Sequence, residues 1–139
     1  MNDKEFDALR KKLQCYITRW VKPLGLGWWR LHFIYNREPE EDDFHGSKGE
    51  TAGRCIANWQ YKEATITFNM STCAAMKELD MERMFVHELM HVFLNEARQR
   101  DIVTDREESV ATQLASAFMW HRDAVLAEGK KLVKAKVKA

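Results

Sequence analysis

Hydrophobic residues recur at three- and four-residue intervals through the first part of the chain, with charged residues between them. Phe6, Leu9 and Leu13 follow this spacing, which is that of one face of an α-helix. An amphipathic helix is therefore predicted from residue 2 or 3 to about residue 21. Pro23 and the glycines after it end the pattern, because proline cannot continue the helical hydrogen-bond ladder.

Three later segments alternate between apolar and polar residues, as β-strands with one buried face do: residues 28–35, 51–60 and 64–69. A short polar turn around Lys62 joins the last two, so a hairpin is predicted there. Residues 36–49, between the first two strands, are rich in acidic residues, glycine and proline, which favours a solvated loop.

Helical spacing returns over residues 80–98, where apolar residues leave almost no polar face. A helix that is apolar all round is a buried one. Its few polar positions are His87, Glu88, His91 and Asn95, which lie within about a quarter of the helix circumference. A narrow polar stripe on a buried helix requires an explanation.

A second long helix is predicted from residue 104 or 105 to about residue 128, where Gly129 ends it. The elements together predict an α+β fold with an N-terminal helix, a small, mostly antiparallel three-stranded sheet, and two further helices. Residues 1–129 form a single domain in this interpretation. Residues 130–139 are predicted to be a flexible, basic C-terminal tail.

Composition excludes several classes of protein. The 139 residues are 45% hydrophobic and 31% charged, as in an ordinary globular domain that can fold without a structural metal. A net charge of +1 gives no overall attraction to nucleic acid or anionic membranes. There is no signal-peptide core and no membrane-spanning run of ~18 apolar residues. A cytoplasmic location is therefore expected. Cys15, Cys55 and Cys73 lack a disulfide or zinc-knuckle pattern and are predicted to be buried thiols.

The sequence His87-Glu88-Leu89-Met90-His91 matches the pattern H-E-x-x-H. One helical turn separates the histidines, so their imidazoles point the same way, ~5–6 Å apart at Cβ. Zinc accepts neutral imidazole nitrogen, and catalytic zinc typically has three protein ligands and a water. Glu88 is rotated by ~100° and can reach that water rather than the ion. Burying the two histidines and the glutamate without partners would cost several kcal/mol, so one zinc ion per chain is predicted. Fe(II), Co(II) and Ni(II) also suit two histidines and one carboxylate as ligands.

Two adjacent carboxylates at the start of the last helix are candidates for the third ligand. Thr104 and Glu107 fit a capping box, which assigns the Glu107 carboxylate to the helix cap. Glu108 is in register with the small residues Ala111 and Ala115, which would let this helix approach the HELMH helix closely. Glu108 is therefore the predicted third ligand, and Glu88 the predicted general base.

Other side chains suit the third position less well. Asp105 fits a helix cap, and Asp101 lies in a connection where solvation is expected. His121 lies more than three turns beyond Glu108, so both cannot easily bind one ion. His121 and Tyr61 are instead candidates for stabilising an oxyanion or supporting a ligand. Three further side chains are eligible for that role by type, although a structural role is favoured for each: Tyr35, His32 and His45.

From about residue 64 to residue 119 the chain resembles the minimal gluzincin metallopeptidases, most closely the ImmA/IrrE-like family of phages and mobile elements. In that family a strand ending in Asn precedes the HExxH helix, and the next helix carries Glu, Ala three positions later, and then an apolar–Ala pair. The matching residues here are Asn69, His87 to His91, Glu108, Ala111 and Leu114-Ala115. The resemblance implies a zinc metallopeptidase that hydrolyses peptide bonds in a protein or peptide substrate by Glu88-assisted attack of zinc-bound water.

The strand at residues 64–69 is expected to form the sheet edge beside the metal, where an extended substrate could add as a further strand. Ile66 and Phe68 are the candidate substrate-binding residues.

Two alternative functions remain. One is a SprT-like protease, which completes its zinc site with a downstream His and acts on DNA-associated proteins. The other is a non-catalytic, metal-stabilised binding module. The lysine-rich residues 130–139 favour these alternatives, but terminal lysine runs are usually solvated, so nucleic acid is not an expected partner beyond a tail contact.

Overall fold

The computed structural model describes residues 1–37, 51–95 and 104–137, and the side chains of residues 1–37, 51–95 and 107–130. The elements in chain order are α1 (Asp3–Trp20), β1 (Arg30–Asn36), β2 (Gly53–Asn58), β3 (Glu63–Asn69), α2 (Met70–Ala75), α3 (Glu78–Asn95) and α4 (Thr104–Val137). The predicted α+β class is confirmed. Most of the predicted acidic loop, His45, Asp101 and the side chain of Asp105 lie outside the described residues.

The first helix begins at a reciprocal cap. The Asn2 side chain accepts a hydrogen bond from the Glu5 backbone N–H, and the Glu5 carboxylate accepts one from the Asn2 backbone N–H, each at 2.9 Å. These two bonds satisfy amides that the helix itself cannot pair. The face that α1 buries carries Leu13, Tyr16 and Trp20, which places the apolar side of the helix on the core, as its spacing predicts.

The sheet has the strand order β1-β3-β2. β2 and β3 form the predicted antiparallel hairpin, whereas β1 pairs with β3 in parallel, so the sheet is mixed rather than mostly antiparallel. The predicted edge position of residues 64–69 is wrong, because β3 is the central strand. Ile66 and Phe68 are each 0% exposed in the core, so neither side chain is available to bind a substrate. The edge strand that packs against α3 is β2.

Aromatic packing fixes α3 on the inner face of the sheet. The rings of Phe68 and Phe85 stack with centroids 5.7 Å apart, and Phe33 of β1 stacks on both of them. On another side, α3 packs against α4 through Ala111 and Ala115, each 0% exposed. The small residues therefore allow the close approach of the two helices that their spacing predicts.

The last helix extends beyond its predicted end. α4 passes through Gly129 and continues to Val137, so much of the predicted tail is helical. Glycine costs a helix only about 1 kcal/mol, and the lysines and alanines around it are good helix formers.

None of the described helices combines the length and apolar character that crossing a bilayer requires. Of the three predicted buried thiols, Cys73 is buried, Cys55 is partly buried and Cys15 is exposed, so the prediction is wrong for Cys15.

Candidate metal centre

The two histidines of the HELMH sequence lie one turn apart on α3 and point to the same place. Their Nε2 atoms are 3.0 Å apart, and the rings meet edge to face with centroids 4.7 Å apart. The His87 side chain is 19% exposed and that of His91 is 13% exposed, so both are largely shielded from solvent. Helix geometry alone produces this convergence, as the sequence pattern predicts.

Glu108 of α4 completes the cluster. One carboxylate oxygen lies 3.2 Å from His87 Nε2, and the other lies 3.1 Å from His91 Nε2. The ligand atoms of these three residues all lie within 4.8 Å of one another. The close packing of Ala111 and Ala115 on α3 brings the start of α4 near enough for this contact. The structure thus brings together the three residues predicted to bind the metal.

The second nitrogen of each imidazole has its own oxygen partner. His91 Nδ1 lies 3.1 Å from Glu107 Oε1, and His87 Nδ1 lies 3.3 Å from Thr112 Oγ1. An N–H on each Nδ1 can donate to these oxygens, which leaves the Nε2 lone pairs directed into the cluster. Metal-binding histidines are commonly oriented in this way.

These supporting residues were not predicted from the sequence. Glu107 is predicted to cap the helix, a role that involves the Thr104 side chain, which lies outside the described residues; the Glu107 side chain is only 11% exposed and also contacts His91. Thr112 follows Glu108 by one helical turn, so the two share a face of α4. That spacing could have identified Thr112, whereas nothing local distinguishes a capping Glu107 from one that faces a histidine.

The donor set fits a zinc ion. Two imidazole nitrogens and a carboxylate are ligands that zinc accepts, although other divalent transition metals accept them too. Donor atoms around a tetrahedral zinc lie about 3.3–3.4 Å apart for bonds of ~2.0–2.1 Å. In this cluster the two Nε2 atoms are 3.0 Å apart, and each lies 3.1 or 3.2 Å from a different oxygen of Glu108. With one donor atom from each residue, all three lie within 4.8 Å of one another. Burial, followed by the neighbouring His91, lowers the pKa of His87, which favours the neutral imidazole that a metal needs.

Glu88 lies next to this cluster but outside it. Its side chain is almost completely buried, and burial, followed by the charge of Glu108, raises its pKa to about 8. Gly53 of β2 passes directly against it, and a Cβ at that position would lie 2.9 Å from both Cγ and Oε1 of Glu88. A glycine is therefore needed for the strand and the carboxylate to approach so closely, a requirement that the sequence alone did not reveal.

The other sequence candidates lie away from the cluster. His121 is exposed on α4, about 20 Å along the helix axis from Glu108 at 1.5 Å per residue. Tyr61 is 67% exposed in the β2–β3 turn. His32 is exposed and pairs with Glu63 at 3.0 Å. Tyr35 is partly buried and packs on Phe68. None of these contacts assigns an oxyanion donor among the described residues.

Comparisons of the chain with protein-family models, with curated proteins and with solved structures found no match. The resemblance to the gluzincins therefore remains a prediction, based on the motif residues named above.

Proposed function

We propose that this protein is a zinc-dependent metallopeptidase, in which His87, His91 and Glu108 hold the metal and Glu88 is the general base. The proposal is supported by one observation: two histidines of α3 and a glutamate of α4 form a cluster, and a second glutamate of α3 lies beside that cluster without belonging to it. Three side chains direct their donor atoms at one point. Glu88 lies beside that point, buried and outside the donor set. Such an arrangement suits the activation of a water molecule.

Zinc bound there would supply Lewis-acid chemistry, making a water molecule more acidic and polarising a carbonyl oxygen. The protein supplies the proton transfer. The Glu88 carboxylate takes a proton from the attacking water and returns it to the nitrogen of the departing amine. Without a metal, burial and the charge of Glu108 raise its pKa to about 8, above neutral pH. The ionised form that a base needs is favoured when a cation lies beside it.

A path for an extended peptide runs along β2. This strand ends the described sheet on the side of α3, so its outer edge can accept a further strand through backbone hydrogen bonds. A cavity of about 190 Å³ lies beside the metal ligands at this edge. It is lined by Cys55, Ile56, Ala57, His91, Asn95 and Glu107. The role predicted for residues 64–69 is therefore proposed for β2 instead.

Membership of the ImmA/IrrE-like family, a phage or mobile-element setting and a cytoplasmic location belong to this proposal and rest on the sequence. The SprT-like alternative needs a downstream histidine as third ligand. The chain offers only His121 after His91, and that side chain is exposed and far along α4 from the cluster. Glu108 is already in place, which favours the gluzincin type of site.

A random peptide library tests the proposal directly. The protein is stripped of metal with a chelator, divided, and half is reloaded with one equivalent of zinc. The reloaded half is expected to cut peptides at defined positions, and mass spectrometry identifies the new termini. The stripped half is expected to cut none of them. Equal cleavage by both halves, or no cleavage by the zinc-loaded protein, would contradict a zinc peptidase.

A further inference from the structure

A second cavity, of about 240 Å³, lies on the other side of the metal cluster. It is lined by Asp80, Arg83, Met84, His87, Thr112 and Ala115. His87 is both a wall of this cavity and a predicted metal ligand. A substrate side chain in the cavity would therefore belong to a residue close to the bond being hydrolysed.

The cavity combines apolar walls with an ion pair. Met84 and Ala115 supply apolar surface, and Arg83 supplies a guanidinium group beside the carboxylate of Asp80. One terminal nitrogen of Arg83 lies 3.3 Å from Asp80, but both side chains are nearly half exposed, so this ion pair is weak. The Arg83 Nε is buried and has no hydrogen-bond partner among the described residues.

The exposed terminal nitrogens of Arg83 determine the chemistry that fits. A guanidinium carries five N–H donors, and those on its terminal nitrogens can donate to the oxygens of a carboxylate. Asp80 contacts Nη1, so the N–H groups of Nη2 are left for a second carboxylate. The alternative, in which Asp80 selects a basic side chain, is disfavoured because Arg83 already pairs with that carboxylate and would repel a second cation.

We propose that Arg83 is a specificity-determining residue that selects peptides with an Asp or Glu side chain next to the scissile bond. The methylene groups of that side chain lie against Met84 and Ala115, and its carboxylate accepts hydrogen bonds from Arg83. This inference rests on the proposed peptidase function, since it assigns a substrate class to the same site.

The test uses matched peptides that differ only by Glu against Gln, or Asp against Asn, at the positions flanking one bond. Cleavage is measured with the zinc-loaded parent. Binding is measured by fluorescence anisotropy with the zinc-loaded Glu88→Gln variant, which is expected to hold the peptide without cutting it. Arg83→Met and Arg83→Lys are examined in both backgrounds. Lys77→Met is the control, because it removes the same charge from an exposed site just before α3.

The acidic peptides are expected to be favoured by between about ten- and a hundredfold over their amides, in kcat/KM and in affinity. Arg83→Met should abolish that preference, Arg83→Lys should retain part of it, and Lys77→Met should leave it unchanged. Equal use of the acid and amide peptides by the parent overturns the inference, as does an undiminished preference in folded Arg83→Met.

The two readouts separate this inference from the proposed function. Cleavage without an acidic preference would overturn the role of Arg83 and leave the peptidase proposal in place. Selective binding that depends on Arg83, without any cleavage by the parent, would support the acidic site and overturn the peptidase proposal. Failure to bind or cut any of the peptides would overturn both.

Discussion

Two glutamates of α3, Glu82 and Glu88, are buried to nearly the same extent, at 5% and 6% exposure. The pKa values of their carboxyl groups are nevertheless shifted in opposite directions. Burial raises the pKa of Glu82, but hydrogen bonds from Arg122, Trp20 and Arg19 more than offset this and bring it below its ordinary value. Burial also raises the pKa of Glu88, and the charge of Glu108 raises it further, to about 8.

The difference lies in the partners that each carboxylate has. Glu82 Oε1 accepts hydrogen bonds from Arg19 at 2.7 Å and from Trp20 at 2.8 Å, and Arg122 of α4 contacts the same oxygen. This carboxylate joins α1, α3 and α4, and so helps to hold α4 and its Glu108 against the HELMH histidines. Glu88 has a glycine and a carboxylate as neighbours, which suits proton transfer rather than structural support.

The largest expected effect comes from Glu88→Gln. This change removes the general base while keeping the shape of the side chain, so kcat/KM for peptide cleavage should fall by about 10²- to 10⁴-fold. Zinc content should not change, because Glu88 is outside the donor set. Cleavage assays and elemental analysis of the same preparations provide the measurement. Turnover equal to that of the parent would remove Glu88 from the mechanism.

A smaller effect is expected from Glu82→Gln, and it should be on stability. The change weakens charge-assisted hydrogen bonds to Arg19 and Arg122, so the free energy of unfolding should fall by about 1–3 kcal/mol at neutral pH. Urea unfolding of the metal-free protein measures it, with Glu88→Gln as the matched control that should not lower stability. A larger loss of stability in the control would reverse the contrast between the two glutamates.

The stabilisation by Glu82 should also depend on pH. Because its pKa is lowered in the folded protein, its contribution is fully present above the ordinary glutamate pKa. It is lost as the pH falls from there through the lowered folded value. The difference in unfolding free energy between the parent and Glu82→Gln should therefore shrink on acidification. A difference that grew at acid pH would show that Glu82 is not held as a carboxylate.

The sequence predicts the parts of the site that depend on one helix or on small residues. Helix spacing places His87 beside His91, and the register of Glu108 with Ala111 indicates which carboxylate faces the Nε2 atoms of both. Local pattern could not predict that β3 is central, because its parallel partner β1 lies far back in the chain. The same holds for Glu82, whose partners Arg19 and Arg122 lie in distant parts of the sequence.

Local pattern does not decide the role of a single residue where two explanations compete. Glu107 satisfies the pattern of a helix cap and also faces His91, a contact that depends on the packing of α4 on α3. Gly129 resembles a helix end, but the cost of one glycine is too small to stop a helix rich in lysine and alanine. Gly53 carries no signal of its own, because its importance comes from the Glu88 carboxylate that packs against it.

The central claim is a metal site made of His87, His91 and Glu108, and elemental analysis of three purified proteins tests it most directly. The parent should carry one zinc per chain. Glu108→Ala should lose most of it, because a ligand is removed, whereas Glu107→Ala should keep more, with about 10- to 100-fold weaker binding, since it only supports His91. A parent without zinc, or more zinc in Glu108→Ala than in Glu107→Ala, would contradict this assignment.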